Sequence, residues 1–118
     1  MIKIEHNETK QIEIEASGKF QIADFDKLEK VIDKLINEHG SINILANSTH
    51  FEGWDDVSAM QRHFSFVQSH HGKVDKFAVI IGPWWQNFML GFAKIFMHPK
   101  VRAFEPNEIE EAKKWLQE

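Results

Sequence analysis

Apolar and polar residues alternate through the first part of the chain. In Met1–His6 and Gln11–Ser17, isoleucine or alanine occupies every second position and mostly charged residues lie between. A period of two is typical of a β-strand that has one face on a core and the other in water. Asn7 and Glu8 suit a tight connection between the two segments. We therefore predict an N-terminal β-hairpin.

A helical period replaces this alternation from about Ile22 to His39. Apolar residues recur there at spacings of three and four, which places them on one side of a helix. They are Phe25, Leu28, Ile32, Leu35 and Ile36. Gly40 follows and is the usual residue at a left-handed helix end. The segment predicts one amphipathic helix that stops at this glycine.

Short apolar segments and helical patterns then alternate. Ile42–Ala46 and Phe77–Ile81 are typical of strands buried on both faces, and Lys100–Phe104 predicts a fifth strand. Between the first two, Asp55 or Asp56 is expected to cap a helix that ends at His71-Gly72. Its predicted core face is Val57, Met60, Phe64 and Val67.

The last helix is predicted to start at Pro106 or Asn107. Asn107 and Glu110 have the spacing of a capping box. The predicted buried face comprises Ile109, Ala112 and Leu116, with Trp115 beside it.

The segment Trp84–Met97, WWQNFMLGFAKIFM, has the length of a helix but an unusually wide apolar surface. At about 100° per residue its apolar side chains cover about 240° of the circumference, whereas a helix on a core needs little more than about 100°. The surplus must contact more of the same chain, a second protomer, a ligand or a membrane.

The predicted order is ββαβαβαβα in a single α/β domain spanning residues 1–118. Right-handed crossovers give a mixed sheet that is mainly parallel, with the first strand antiparallel at one edge. Ligands of such sheets bind beyond the carboxyl ends of the strands. That edge comprises Ser17-Gly18, a predicted loop over Asn47–Trp54, Gly82–Trp85 and the turn at Glu105-Pro106.

Three short motifs carry a family resemblance over essentially the whole chain: FEGWD at Phe51–Asp55, ASGKF at Ala16–Phe20 and AKKWL at Ala112–Leu116. With the element order, they make the chain similar to the SpoIIAA-like family of small bacterial STAS-type domains. That family is related in fold to anti-sigma factor antagonists and to the lipid-binding CRAL-TRIO domain. The resemblance implies a SpoIIAA-like fold.

Two positions depart from the patterns that the resemblance brings with it. Sporulation-type antagonists carry a phosphorylatable serine at the start of the helix after the third strand. Here that region reads Gly53-Trp54-Asp55-Asp56, and the first hydroxyl is that of Ser58. Family members often carry aspartate near the end of the third strand, where this chain has Asn47. The resemblance therefore implies a module without phospho-switching.

Composition excludes several classes of function. The chain of 118 residues has no cysteine, which excludes disulfides, thiolate metal sites and cysteine catalysis. A net charge of −4 argues against nucleic-acid binding. Because the start lacks the apolar stretch of a signal peptide and no segment approaches about 20 apolar residues, we expect a cytoplasmic protein.

No pattern predicts catalysis, a metal or a cofactor. The seven histidines lack metal-ligand spacing. His63 and His70 share a helical face, which we interpret as a solvated one. Glu52 is a weak acid–base candidate, and neither Ser48 nor Ser58 lies in a nucleophile turn. We predict a protein that is not an enzyme.

The aromatic residues near the ligand edge are the main functional candidates. An apolar wall with a few polar groups is what small-molecule sites use. The predicted ligand-binding residues are Asn47, Phe51, Trp54, Trp84, Trp85, Phe88 and Phe92. The predicted membrane or interface residues are Trp85, Phe88, Met89, Phe92 and Phe96.

These residues support two classes of function. The first is a non-catalytic module that binds a small apolar or lipid-like ligand, with a variant in which the helix over 84–97 lies peripherally on the inner membrane face. The alternative is a regulatory protein-interaction module. It would act as a homodimer, or bind a partner through Asp55–Phe64 in the manner of an anti-sigma factor antagonist.

Overall fold

The computed structural model describes residues 1–6, 9–82 and 101–118. The predicted turn at Asn7 and Glu8 and the predicted helix over 84–97 lie outside the described residues. None of the helices in the described ranges has the length and apolarity that would be needed to cross a membrane.

The described residues form one five-stranded sheet in which the strands are adjacent in chain order. The first strand pairs antiparallel with the second, and every later pair is parallel. The predicted fold class, a mixed sheet with an N-terminal hairpin at its edge, is confirmed. The strands are β1 (Ile2–His6), β2 (Gln11–Phe20), β3 (Ile42–Trp54), β4 (Val74–Ile80) and β5 (Val101–Phe104).

Strands β2 and β3 are longer than the sequence predicts. The predicted loop over Asn47–Trp54 is instead the second half of β3, and it pairs with residues 15–20 of β2. Two register shifts interrupt this pairing. The loop prediction was wrong because backbone pairing with β2 extends the strand, although polar side chains break the apolar pattern there.

Within the described residues, three α-helices accompany the sheet: α1 (Ile22–His39), α2 (Val57–His70) and α3 (Ile109–Gln117). The bounds of α1 are those predicted, and Gly40 ends it with a φ of 82°. The predicted cap of α2 is also confirmed, because the Asp56 carboxylate accepts a hydrogen bond from the Ala59 N–H at 2.8 Å. The capping pair near α3 is Glu105 and Glu108 around a short 3-10 turn, not the predicted Asn107 and Glu110.

The sheet has a core on each face. Helices α1 and α2 cover one face, where Phe25, Ile32 and Phe66 pack on Ile12 and Ile44. On the other face α3 covers a smaller core. That core consists of Leu45, Ala78, Ile80, Phe104, Ala112 and Leu116.

Helix α2 is rotated relative to the predicted orientation. Its buried residues are Ala59, Phe66 and His70. Val57 and Phe64, which the sequence assigned to the core, are 63% and 41% exposed. The prediction counted only apolar residues, whereas the face that contacts α1 combines a small alanine with aromatic and imidazole rings.

Candidate functional site

The extended ends of β2 and β3 carry a group of rings that we call the aromatic cluster: Phe20, Phe25, Phe51, Trp54 and His63. Phe51 contacts Phe20 with ring centroids 4.5 Å apart and Trp54 at 5.4 Å. Phe25 completes the group from α1, at 5.3 Å from Phe20. The cluster forms because β3 continues to Trp54. Phe51 and Trp54 therefore pair with the last residues of β2, Gly18 and Phe20, next to the start of α1.

His63 joins the aromatic cluster from α2. Its imidazole stacks on Phe25 with centroids 4.8 Å apart and an angle of 25°. The indole N–H of Trp54 donates to His63 Nδ1 at 3.1 Å, so Nδ1 carries no proton. Burial lowers the pKa of His63 from 6.5 to about 4. At neutral pH this ring is therefore uncharged and packs as an aromatic side chain.

Asn47 does not join the aromatic cluster. It pairs with Ile80 in the sheet, and Ile80 belongs to the core under α3. Paired residues of parallel strands point to the same face, so Asn47 and Phe51 lie on opposite faces of the sheet. The Asn47 carboxamide oxygen accepts hydrogen bonds from the Thr49 N–H at 3.2 Å and hydroxyl at 2.7 Å. The predicted grouping of Asn47 with Phe51 and Trp54 is therefore wrong.

The carboxylates near the start of α2 have structural partners. Asp56 caps the helix, and Asp55 accepts a hydrogen bond from the Gln21 carboxamide at 2.9 Å. Glu52 is exposed. Ser58 is also exposed and lies in the first turn of α2.

Part of the aromatic cluster continues onto the surface. Trp54 is partly exposed and contacts the exposed ring of Phe64 with centroids 6.0 Å apart. Phe51, by contrast, is only 7% exposed. Phe51 is therefore a buried member of the cluster, whereas Trp54 and Phe64 expose apolar rings to solvent.

The chain beyond β4 leaves close to this end of β3. At Gly82 a Cβ atom would lie 2.5 Å from the Thr49 carbonyl oxygen, so only glycine allows this approach of the two backbones. The remaining predicted site residues follow in the sequence and lie outside the described residues: Trp84, Trp85, Phe88, Met89, Phe92 and Phe96.

Sequence reasoning missed the role of His63 and His70. Both lie on the α1 side of α2, where His63 stacks on Phe25 and His70 is 9% exposed. The interpretation of this face as solvated was therefore wrong. The helical spacing of Ala59, His63, Phe66 and His70 was the available signal, if histidine is counted as an aromatic residue.

The described residues form a mixed α/β sheet with helices on both faces. The SpoIIAA-like family model matches residues 11–117. The chain therefore belongs to the SpoIIAA-like family.

One solved structure supports the same fold. It is the crystal structure of an uncharacterized protein from Shewanella loihica with a SpoIIAA-like fold, which has a TM-score of 0.76 and 19% sequence identity. The alignment covers 98% of this chain and 93% of that one. No curated protein matches the sequence.

Proposed function

We propose that this protein is a non-catalytic STAS-type module that binds a small apolar or amphiphilic ligand at the exposed edge of the aromatic cluster. The observation that carries the proposal is the surface formed by Trp54 and Phe64. Because the Trp54 N–H is already bonded to His63, the exposed part of the indole is apolar. Such a surface favours contact with hydrocarbon over contact with a polar group.

The sequence beyond Gly82 adds to this proposal. The chain leaves β4 beside Thr49, two positions before Phe51. The aromatic residues Trp84, Trp85, Phe88 and Phe92 follow and supply further apolar side chains for the ligand. Their role stays a prediction from the sequence.

The chemistry of the described residues supports a binding role. A general acid or base needs a titratable group within reach of a substrate. The nearby titratable side chains instead have structural contacts. The imidazole of His63 packs among aromatic rings, the Asp56 carboxylate caps α2, and the Asp55 carboxylate accepts a hydrogen bond from Gln21.

Native mass spectrometry of protein purified without detergent tests the proposal. We expect a monomer that carries a small adduct, and saturable binding when a long-chain fatty acid is titrated into the stripped protein. Trp54→Leu should weaken this binding, whereas the matched Trp115→Leu, on the α3 side of the sheet, should not. A protein with neither adduct nor saturable binding would exclude the ligand.

A membrane variant of the same proposal has a separate test. If the segment over 84–97 lies on a bilayer, the protein should co-sediment with vesicles. We expect binding to neutral phosphatidylcholine as well as to anionic vesicles, because a net charge of −4 gives no attraction to anionic lipid. Failure to sediment with either composition would exclude the membrane contact but not a soluble ligand.

The exposed apolar residues of α2 favour a second candidate, a protein-interaction module. Val57 and Phe64 are 63% and 41% exposed on a helix that otherwise packs well. A second copy of the chain or a regulatory partner would bury them. Sedimentation velocity over a wide concentration range tests the homodimer: Phe64→Glu should abolish a dimer that the matched surface change Ser65→Glu leaves intact. A monomer at every concentration would contradict the homodimer.

A further inference from the structure

His70 is the buried polar side chain in the part of the chain that the structure describes, at 9% exposure. Its ring stacks on Phe66 with centroids 4.4 Å apart. Nδ1 lies 2.8 Å from the Phe66 carbonyl oxygen and 2.8 Å from Ser69 Oγ. The ring is thus held in one orientation by its own helix.

These contacts favour one tautomer of His70. A carbonyl oxygen only accepts hydrogen bonds, so a hydrogen on Nδ1 satisfies the contact with Phe66. Ser69 donates to the same carbonyl at 3.1 Å and is therefore also available as an acceptor for Nδ1. Nε2 lies 2.8 Å from a carboxylate oxygen of Asp33 on α1.

Nε2 faces the carboxylate of Asp33 across the contact between α1 and α2. In the tautomer with the hydrogen on Nδ1, Nε2 has the lone pair with which a neutral imidazole binds a metal ion. In metal sites, a histidine commonly donates its other ring N–H to a backbone carbonyl, as His70 does here.

The carboxylate of Glu29 also lies close to His70 and Asp33. Glu29 and Asp33 lie one turn apart on α1, and ligand atoms of these two residues and of His70 all lie within 4.8 Å of one another. The ligands of one tetrahedral zinc ion are about 3.3–3.4 Å apart. The three side chains therefore need only rotamer adjustments to share an ion.

The charges nearby are compatible with a divalent cation. Arg62 of α2 contacts Glu29, and it contacts Asp26 at 3.2 Å. With neutral His70, the three carboxylates outweigh the single guanidinium by two negative charges. Asp33 has 54% of its side chain exposed, which leaves a path from solvent.

We infer that Glu29, Asp33 and His70 form an exchangeable binding site for a divalent transition-metal ion of the zinc type, which joins α1 to α2. One imidazole nitrogen and two carboxylates suit zinc, and water fills the remaining position. The site lies between the helices and is independent of the surface at Trp54.

Zinc chloride titrated into the metal-free, full-length protein tests the inference by calorimetry. We expect one saturable site per chain. Asp33→Asn, which keeps the shape of a half-exposed side chain, should weaken binding by at least about tenfold. The matched Glu110→Gln, which neutralises an exposed carboxylate on α3, should bind as the parent does.

A spectroscopic readout assigns the ligand atom. Zinc should shift the ¹⁵N resonance of His70 Nε2 and leave His63 unchanged, and His71→Gln should still bind. Lack of saturable binding, undiminished binding by Asp33→Asn, or loss of binding in His71→Gln would each overturn the inference. The first result would identify the contact as an imidazolium–carboxylate ion pair, and the last would identify a surface imidazole as the ligand.

Discussion

The two faces of the sheet hold their helices by different means. On the α1 and α2 side, large rings pack without a gap from Phe20 through Phe25 to His63 and Phe66. On the α3 side, the described residues form a smaller apolar core that contains two alanines. Since apolar stabilisation follows buried area, the described residues of the first face contribute more of the folding free energy than those of the second.

Polar side chains of the strands compensate on the α3 side. The Asn43 carboxamide donates to the Leu116 carbonyl at 3.1 Å, and Lys76 Nζ donates to the Trp115 carbonyl at 3.0 Å. These carbonyls lie in the last turn of α3, where helical partners are missing and a positive charge is favourable. The nine-residue helix α3 is therefore attached to the sheet by hydrogen bonds to its last turn as well as by the packing of its apolar face. The comparison shows that a short helix can be attached through hydrogen bonds from the strands to its last turn.

The largest expected effect is the loss of a ring at the centre of the larger core. Phe25 is 1% exposed and contacts both Phe20 and His63. Phe25→Ala should lower the free energy of unfolding by about 3–5 kcal/mol, since it leaves a cavity among rigid rings. Urea denaturation measures this. Leu116→Ala under α3 should cost less, about 2–3 kcal/mol, and an equal cost would show that the two faces do not differ.

The second effect is a pH dependence on the α1 and α2 side. Because burial lowers the pKa of His63 from 6.5 to about 4, the unfolded chain binds the proton more tightly than the folded one. Above pH 6.5, His63 is unprotonated in both the folded and the unfolded chain, and the stability is not reduced. As the pH falls from 6.5 towards 4, the unfolded chain takes up the proton first, so the free energy of unfolding decreases. The loss is on the order of 3 kcal/mol.

Denaturation between pH 4 and pH 7 checks this, with His63→Gln as the comparison. The variant keeps a hydrogen-bond acceptor for Trp54 but cannot take up a proton. Its stability should fall less over this range than that of the parent. Parallel pH profiles would contradict the burial of a neutral His63.

The third effect lies where β4 leaves the sheet. Gly82→Ala places a methyl group against the Thr49 carbonyl, and the resulting backbone shift should cost about 1–3 kcal/mol. Gly72 serves as the control because a Cβ there meets no atom within 4 Å. A shift in thermal midpoint for Gly82→Ala but not for Gly72→Ala is the expected result. Equal thermal midpoints for the two variants would mean that the backbones of Gly82 and Thr49 lie farther apart than described.

The smallest effect tests the polar attachment of α3. Lys76→Met keeps the apolar stem but removes the hydrogen bond to Trp115 and the cation over its ring at 5.4 Å. We expect a loss of about 0.5–1.5 kcal/mol. Exposed Lys73→Met is the matched control. Identical urea midpoints for the two variants would mean that the apolar contacts alone hold α3.

The candidate site was only partly predictable from the sequence. Phe51 and Trp54 were identified because they follow a buried strand within a family motif, and they do lie together. The separation of Asn47 from them depends on the register shift between β2 and β3 that lies between Asn47 and Phe51, which a side-chain pattern does not report. Whether any of these residues binds a ligand stays a prediction.

The sequence by itself determined the elements whose signal is local. The period and the terminal glycine delimit α1, the alternation marks the hairpin, and Asp56 caps α2 through its own first turn. Tertiary structure alone decided the length of β3 and the buried face of α2. A strand is extended only where a partner backbone is available to pair with it. A histidine packs in the interior only when burial keeps it neutral, as for His63, or when a carboxylate on another helix contacts its ring nitrogen, as Asp33 does for His70.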